Sequence, residues 1–180
     1  STAEHTVGLI LALLRGYKKT LQFPYFERDY YRGHVARGKT LGIVGYGRVG
    51  NQVTRIAKAL KMKVSIFEKD EPLCNLHDIL QEADVVSVHI PLTGNEGFFT
   101  KEMFRTMQQT AYFINTSRDD IVSPGALVWA LQNKEIAGAA VDFLDDPILV
   151  EYAQNNDNLI LTNHCGGNTF EDREKTRKFI

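Results

Sequence analysis

The apolar positions of this chain fall into short unbroken runs, and between the runs they recur at every third or fourth residue. The runs at 41–44, 64–67, 85–90, 112–115, 137–141 and 159–161 read as strands, and the stretches at 49–60, 76–81, 101–107 and 125–132 as helices. The strand runs are continuously apolar rather than alternating, the pattern of a parallel sheet covered on both faces. Ser123 before Pro124 supplies a capping hydroxyl and a first-turn proline, a good helix start. Residues 1–14 also read as a helix, but one that is apolar nearly all round (Val7, Leu9, Ile10, Leu11, Leu13, Leu14), so several of its sides must be covered. It shows no cap or lead-in, which suggests a piece of a longer chain. At the other end, Asn168-Thr169 reads as the cap of a last, truncated helix over 168–180. The expected fold is α/β: a Rossmann-type doubly wound parallel sheet in three α/β/α layers, filling 1–180 as one domain.

The first strand run feeds directly into Gly45-x-Gly47-x-x-Gly50, after which the apolar period becomes helical. Glycines at a strand-to-helix turn serve a dinucleotide. Gly45 permits the tight turn, Gly47 lets a pyrophosphate approach the backbone, and Gly50 lets helix pack on strand. The phosphates would meet the free N–H groups and positive dipole end of the helix. Glu68 ends the next strand, 18 residues past Gly50, near the usual interval for the acid that accepts from the ribose hydroxyls. A carboxylate there favours NAD over NADP by repelling a 2′-phosphate, and Lys69 beside it softens the preference.

Composition narrows the classes. Twenty-two acidic against 21 basic side chains give a formal charge of −1, which leaves no electrostatic footprint for nucleic acid or an anionic membrane. The longest apolar run, 7–14, is too short to span a bilayer, and no basic segment precedes it as in a signal peptide. Cys74 and Cys165 are far apart and the five histidines form no His-x-x-x-His pair, so neither a metal nor a disulfide framework is expected. That pattern suits a reducing cytoplasm. The aromatics at 23–26 and 30–31 form an arm within 1–38, read equally well as an interface or as a local cluster.

In a doubly wound sheet, ligands bind beyond the carboxyl ends of the strands. The residues to inspect are therefore His89 to Thr93, Asn115 to Asp120, Asp142, and Asn163 to Gly167. Arginine, aspartate and histidine converge there, a cation to hold and polarise an anionic keto acid and an imidazole to exchange the hydroxyl proton. His5, His34 and His77 read as unremarkable, His89 as structural or groove-lining, and Cys165 as packing. Asp119 and Asp120 lack further metal ligands.

Ala3-Glu4-His5, Lys39 to Gly50, His89-Ile-Pro-Leu-Thr93, Ile114-Asn-Thr-Ser-Arg118, Gly138-Ala-Ala-Val-Asp142 and His164-Cys-Gly-Gly167 appear in that order. With them the chain resembles the cofactor-binding domain of the D-isomer-specific 2-hydroxyacid dehydrogenases, most closely the phosphoglycerate dehydrogenase branch. The resemblance implies a hydride transfer between NAD and a D-2-hydroxy acid or its 2-keto acid. Arg118 would bind the substrate carboxylate and carbonyl, His164 would be the general acid/base, and Asp142 would hold the nicotinamide amide. Arg48 and Val49 would lie along the pyrophosphate. Ile90, Thr116 and Ser117 would line the groove, with Gly166 and Gly167 closing it. A carboxylate before a proline would orient the histidine, which points to Asp146 before Pro147, with Asp145 as rival. The resemblance also implies a homodimer through the opening helix and aromatic arm.

The departures are specific. The family's Arg-Gly-Gly is Arg118-Asp119-Asp120, two carboxylates that could pair with the arginine and weaken anion binding. The proline usual before the histidine is Asn163. Family members carry an N-terminal substrate domain of which this chain has little, so the piece alone is expected to bind NAD but turn over poorly. A second class stays open: a non-catalytic NAD(H)-sensing interaction module like the corepressors built on this fold.

Overall fold

The computed structural model describes residues 1–21, 32–69, 75–143 and 145–171. Its elements follow in the order α1 (Thr2–Leu14), α2 (Tyr17–Leu21), β1 (Thr40–Val44), α3 (Arg48–Ala59), β2 (Lys63–Phe67), α4 (Leu76–Glu82), β3 (Val85–Val88), α5 (Lys101–Thr106), β4 (Tyr112–Asn115), a 3-10 turn (Asp119–Ile121), α6 (Pro124–Gln132), β5 (Gly138–Val141), α7 (Pro147–Asn155) and β6 (Leu159–Leu161). The strands form one six-stranded sheet in the order β2-β1-β3-β4-β5-β6, and every pairing is parallel. Connections run one way from β1 to β2 and the other way from β3 onward. The sheet therefore has a switch point between β1 and β3, the place at which doubly wound sheets bind ligands beyond the strand ends.

Adjacent residues of each strand face opposite layers, and both layers are apolar. Val44, Val86, Val88 and Phe113 join the cluster under α4 to α7, with Phe99, Phe104 and Leu127 fully buried. Phe99, Phe104 and Phe113 pack at centroid separations of 4.6–5.1 Å, within the range of favourable tilted ring pairs. Leu41, Ile43, Val85, Ile114 and Ala140 face the other way, against α1 and α3. This is the three-layer arrangement that the unbroken apolar runs require.

Helix α1 satisfies its all-round apolarity by lying against α3, β4 and β5, with Ala3, Val7, Leu9, Ile10, Leu13 and Leu14 buried. Ser1 holds the cap position of α1, with Glu4 in its first turn. Ser123 caps α6 as expected, accepting from the Ala126 N–H at 3.2 Å. Strand β3 stops at Val88, two residues short of the apolar run, because His89 and Ile90 turn over the end of β1. The helices α2 and α7 were not expected. The aromatic arm at 23–26 and 30–31 lies outside the described residues, as does 172–180 of the expected last helix.

Candidate cofactor and active site

The glycine turn joins β1 to α3 under tight steric constraint. Gly45 has φ +96°, and a Cβ there would lie 2.8 Å from the His89 carbonyl oxygen and 2.9 Å from Ile90 Cγ2. A Cβ on Gly50 would lie 2.1 Å from the Gly45 carbonyl oxygen. Gly47 differs: it caps α3, is exposed, and a Cβ there would meet nothing within 4 Å. The space in front of it is open, which is the room a pyrophosphate needs. The first N–H groups of α3 have no acceptor within the helix. Arg48 stands exposed at that first turn and Val49 is half-buried beside it.

Glu68 follows β2 directly. Its Oε2 accepts from the Tyr46 N–H at 2.6 Å and its Oε1 from the Lys69 N–H at 3.2 Å. The carboxylate is thereby fixed to the middle of the glycine turn. Beyond β3, His89 Nε2 lies 2.9 Å from the Ser87 hydroxyl, and burial pulls its pKa down to about 4. The ring is neutral at pH 7 and wedges the β3 end, while Ile90 packs half-buried near Gly45.

Beyond β4, one buried side chain shapes the loop. Asn115 Nδ2 donates to the Arg118 carbonyl at 2.8 Å, and Asn115 Oδ1 accepts from the Ser117 N–H at 3.0 Å and hydroxyl at 2.8 Å. Thr116 is buried with its hydroxyl 2.8 Å from that of Thr6, which itself donates to the Thr2 carbonyl. Helix α1 is thus hydrogen-bonded to the loop that presents Ser117 and Arg118. The Arg118 guanidinium donates to the Ser117 carbonyl at 2.6 Å and is otherwise exposed. Among the described residues, no ion pair joins it to Asp119 or Asp120.

Beyond β5 and β6 the centre is Asp142, 4% exposed. Its Oδ1 accepts from the Thr162 hydroxyl at 2.5 Å and the Cys165 N–H at 3.0 Å, and its Oδ2 from the Gly166 N–H at 2.8 Å. His5 Nε2 stands 3.4 Å from Oδ1 and 3.0 Å from the Thr162 oxygen. Burial pushes the Asp142 carboxyl upward, but the bonds from Thr162, Gly166 and Cys165, with His5 nearby, outweigh it and hold the pKa below its ordinary value. The group is a carboxylate at neutral pH. Gly166 is packed on it, since a Cβ there would lie 2.9 Å from Oδ2, whereas Gly167 is exposed.

His164 is exposed, with φ +44°, and its N–H donates to the Thr162 carbonyl at 3.1 Å. Asp146 Oδ1 is occupied elsewhere, capping α7 by accepting from the Ile148 N–H at 2.8 Å and the Leu149 N–H at 3.3 Å. Among the described residues, no hydrogen bond links the His164 ring to Asp145 or Asp146. Those two carboxylates, with Asp119 and Asp120, instead rim a cavity of about 210 Å³ floored by Val122, Leu127, Phe143 and Leu149.

Three partners carry no role in the sequence reading. Asn115 sits within the motif before Arg118, and an asparagine two residues before a serine is the available signal for its loop-closing bonds. Thr162 and Thr6 give no comparable signal, because their partners are distant in sequence. His5 is not the unremarkable helix residue expected, since it faces Asp142 and Thr162.

The model of the D-isomer specific 2-hydroxyacid dehydrogenase NAD-binding domain matches residues 7–166. A Staphylococcus haemolyticus protein named as a putative 2-hydroxyacid dehydrogenase is 34% identical over 198 residues, covering all of this chain and 62% of its own length. Among solved structures, a D-lactate dehydrogenase from Aquifex aeolicus, complexed with NAD and lactic acid, superposes with TM-score 0.84 at 27% identity, over 99% of this chain and 63% of that one. An acyclic imino acid reductase in complex with NADPH and D-Arg superposes with TM-score 0.86 at 26% identity, over 98% and 61%. The chain spans about three-fifths of the length of the curated relatives it matches. With its parallel sheet, its glycine turn and this likeness along nearly its whole length, the chain belongs to the D-isomer specific 2-hydroxyacid dehydrogenase family, of which it is the NAD-binding domain.

Proposed function

We propose that this chain is the cofactor-binding part of an NAD-dependent oxidoreductase that interconverts a D-2-hydroxy acid and its 2-keto acid. The observation that carries the reading is the placement of Arg118, Asp142 and His164 beyond β4, β5 and β6, on the edge of the sheet that holds the glycine turn. The nicotinamide, when bound, supplies the hydride acceptor or donor. Around it, Gly45, Gly47 and Gly50 shape the pyrophosphate turn, Arg48 and Val49 flank the phosphates, and Glu68 accepts from the ribose hydroxyls. Ile90, Thr116, Ser117, Gly166 and Gly167 line the groove, and Asp142 accepts from the carboxamide. Arg118 holds the substrate carboxylate and polarises its carbonyl, and His164 takes or returns the hydroxyl proton.

Oδ1 of Asp146 accepts in the α7 cap, which leaves Oδ2 alone to orient His164. Asp145, exposed in the same loop, is free to meet His164 when a substrate orders the site. The cavity lined by Asp119, Asp120, Asp145 and Asp146 supports a substrate with a neutral or cationic side chain over a phosphorylated one. The D-Arg bound by the imino acid reductase is in keeping with that choice.

Homodimerisation through the first 38 residues belongs to the same proposal. Tyr17, Leu21 and Val35 are 51%, 84% and 69% exposed on either side of the arm, more apolar surface than a lone helix end needs. Among the described residues no helix is long and apolar enough to cross a membrane, and a free cysteine suits a reducing cytoplasm. The named relatives favour an enzyme over the sensing module. The deciding experiment is His164→Gln in the full-length protein: the dehydrogenase reading expects loss of turnover with NAD affinity kept. Partner binding that follows the NAD(H) level, in a protein with no turnover before mutation, would favour the sensor.

A further inference from the structure

His5, Asp142 and Cys165 bring three different donor atoms to one place from three distant parts of the chain. Nε2 of His5 lies 3.4 Å from Oδ1 of Asp142 and 3.9 Å from Sγ of Cys165, and Sγ lies 3.7 Å from Oδ1. A tetrahedral zinc with ordinary bond lengths to nitrogen, oxygen and sulfur separates its ligand atoms by about 3.3–3.6 Å. The three atoms thus already occupy one face of such a tetrahedron, within a few tenths of an ångström.

The arrangement does not read as a nucleophilic relay. A Cys-His-Asp relay uses the two ring nitrogens for two different partners. Here a single nitrogen faces thiol, carboxylate and the Thr162 hydroxyl together, at 3.9, 3.4 and 3.0 Å. Convergence on one point is what ligands do.

We propose that His5, Asp142 and Cys165 form a binding site for a borderline divalent transition metal of the zinc class. Asp142 is fixed for the task, with Oδ2 held by the Gly166 N–H and Oδ1 by the Cys165 N–H, the outer bonds that orient a ligating carboxylate. The Thr162 hydroxyl donates a hydrogen bond to Oδ1 at 2.5 Å, and turning it aside frees a lone pair for the cation. On binding, the metal sheds water, the Cys165 S–H bond breaks, its proton passes to solvent, and the sulfur–metal bond forms from the thiolate pair. Imidazole, carboxylate and thiolate together select zinc or cobalt over magnesium and calcium, which require oxygen donors. His5 keeps 20% of its side chain exposed, which gives a cation a route to the three donors. On the reading given under Proposed function, the metal occupies the carboxylate that the nicotinamide needs.

Sequence spacing conceals this site, since residues 5, 142 and 165 form no motif, and the expectation of no metal rested on spacing. The test is titration of the 180-residue chain with Co²⁺ under reducing conditions, followed by absorbance. One equivalent should raise a thiolate-to-cobalt charge-transfer band with the strong visible bands of tetrahedral cobalt, and Zn²⁺ should remove both. Cys165→Ser should abolish the charge-transfer band, whereas Cys74→Ser should keep it. Absence of the band in the unsubstituted chain, or its persistence in Cys165→Ser, overturns the proposal. Alkylation of the unsubstituted chain, read peptide by peptide, gives the same answer without a variant. Zn²⁺ should slow modification of Cys165 at least tenfold, and an unchanged rate overturns the site.

Discussion

Oδ2 of Asp142 accepts the Gly166 N–H at 2.8 Å, and this bond ties the segment after β6 to the end of β5. With the Thr162 hydroxyl and Cys165 N–H on Oδ1, it makes one buried carboxylate the fastener of the sheet edge beyond β5 and β6.

That fastener gives an acid limb to stability. The folded-state pKa of Asp142 lies below its ordinary value, so its contribution is present above the unfolded pKa, about 3.9, and is lost as pH falls through the folded value. Asp142→Asn should cost about 2–3 kcal/mol at pH 7, because an amide nitrogen must face an N–H donor. The loss should shrink below about pH 4. Urea unfolding at both pH values measures it, and an equal loss at both would contradict the account.

His89 acts in a higher window. Burial holds its folded pKa at about 4 against an ordinary 6.5, so the unfolded chain takes up its proton first as pH falls. Stability should therefore decline from about pH 6.5 toward pH 4, by up to roughly 3 kcal/mol from this group alone. His89→Gln should flatten that slope, as read from unfolding midpoints across the interval.

The three turn glycines should separate structure from ligand. Gly50→Ala places a Cβ 2.1 Å from the Gly45 carbonyl and should destabilise the fold by about 3 kcal/mol or abolish it. Gly47→Ala meets open space and should change stability by under about 1 kcal/mol while weakening dinucleotide binding. Denaturation of both variants beside NAD titration of Gly47→Ala checks the contrast.

Asp146→Ala should cost about 1 kcal/mol through loss of the α7 cap, and Asp146→Ser should recover most of it. The pH dependence of turnover in the full-length protein should respond to Asp145→Asn more than to Asp146→Ser. A profile moved by Asp146→Ser alone would return the orienting role to Asp146.

The layers and the glycine turn were legible because their signals are local. Unbroken apolar runs at 85–88 and 112–115 mark strands buried on both faces, and Gly45, Gly47 and Gly50 mark the turn within six residues. The α7 helix was missed although its signal is plain: Asp146 caps it and Pro147 begins it. The sequence reading instead gives Asp146 the role of orienting His164, with Pro147 only marking its place. What stayed hidden depends on contacts between distant residues, such as Thr6 with Thr116 or His5 with Asp142. No periodicity in either segment encodes the other.

The central claim, a dinucleotide site at the glycine turn selective through Glu68, is tested most directly by calorimetric titration of this chain with NAD⁺ and NADP⁺, repeated on Glu68→Ala. The account predicts binding of NAD⁺ with at least tenfold preference over NADP⁺, and a Glu68→Ala variant that loses most of that preference. Failure of the chain to bind either dinucleotide, or equal binding of both unaffected by the substitution, would contradict it.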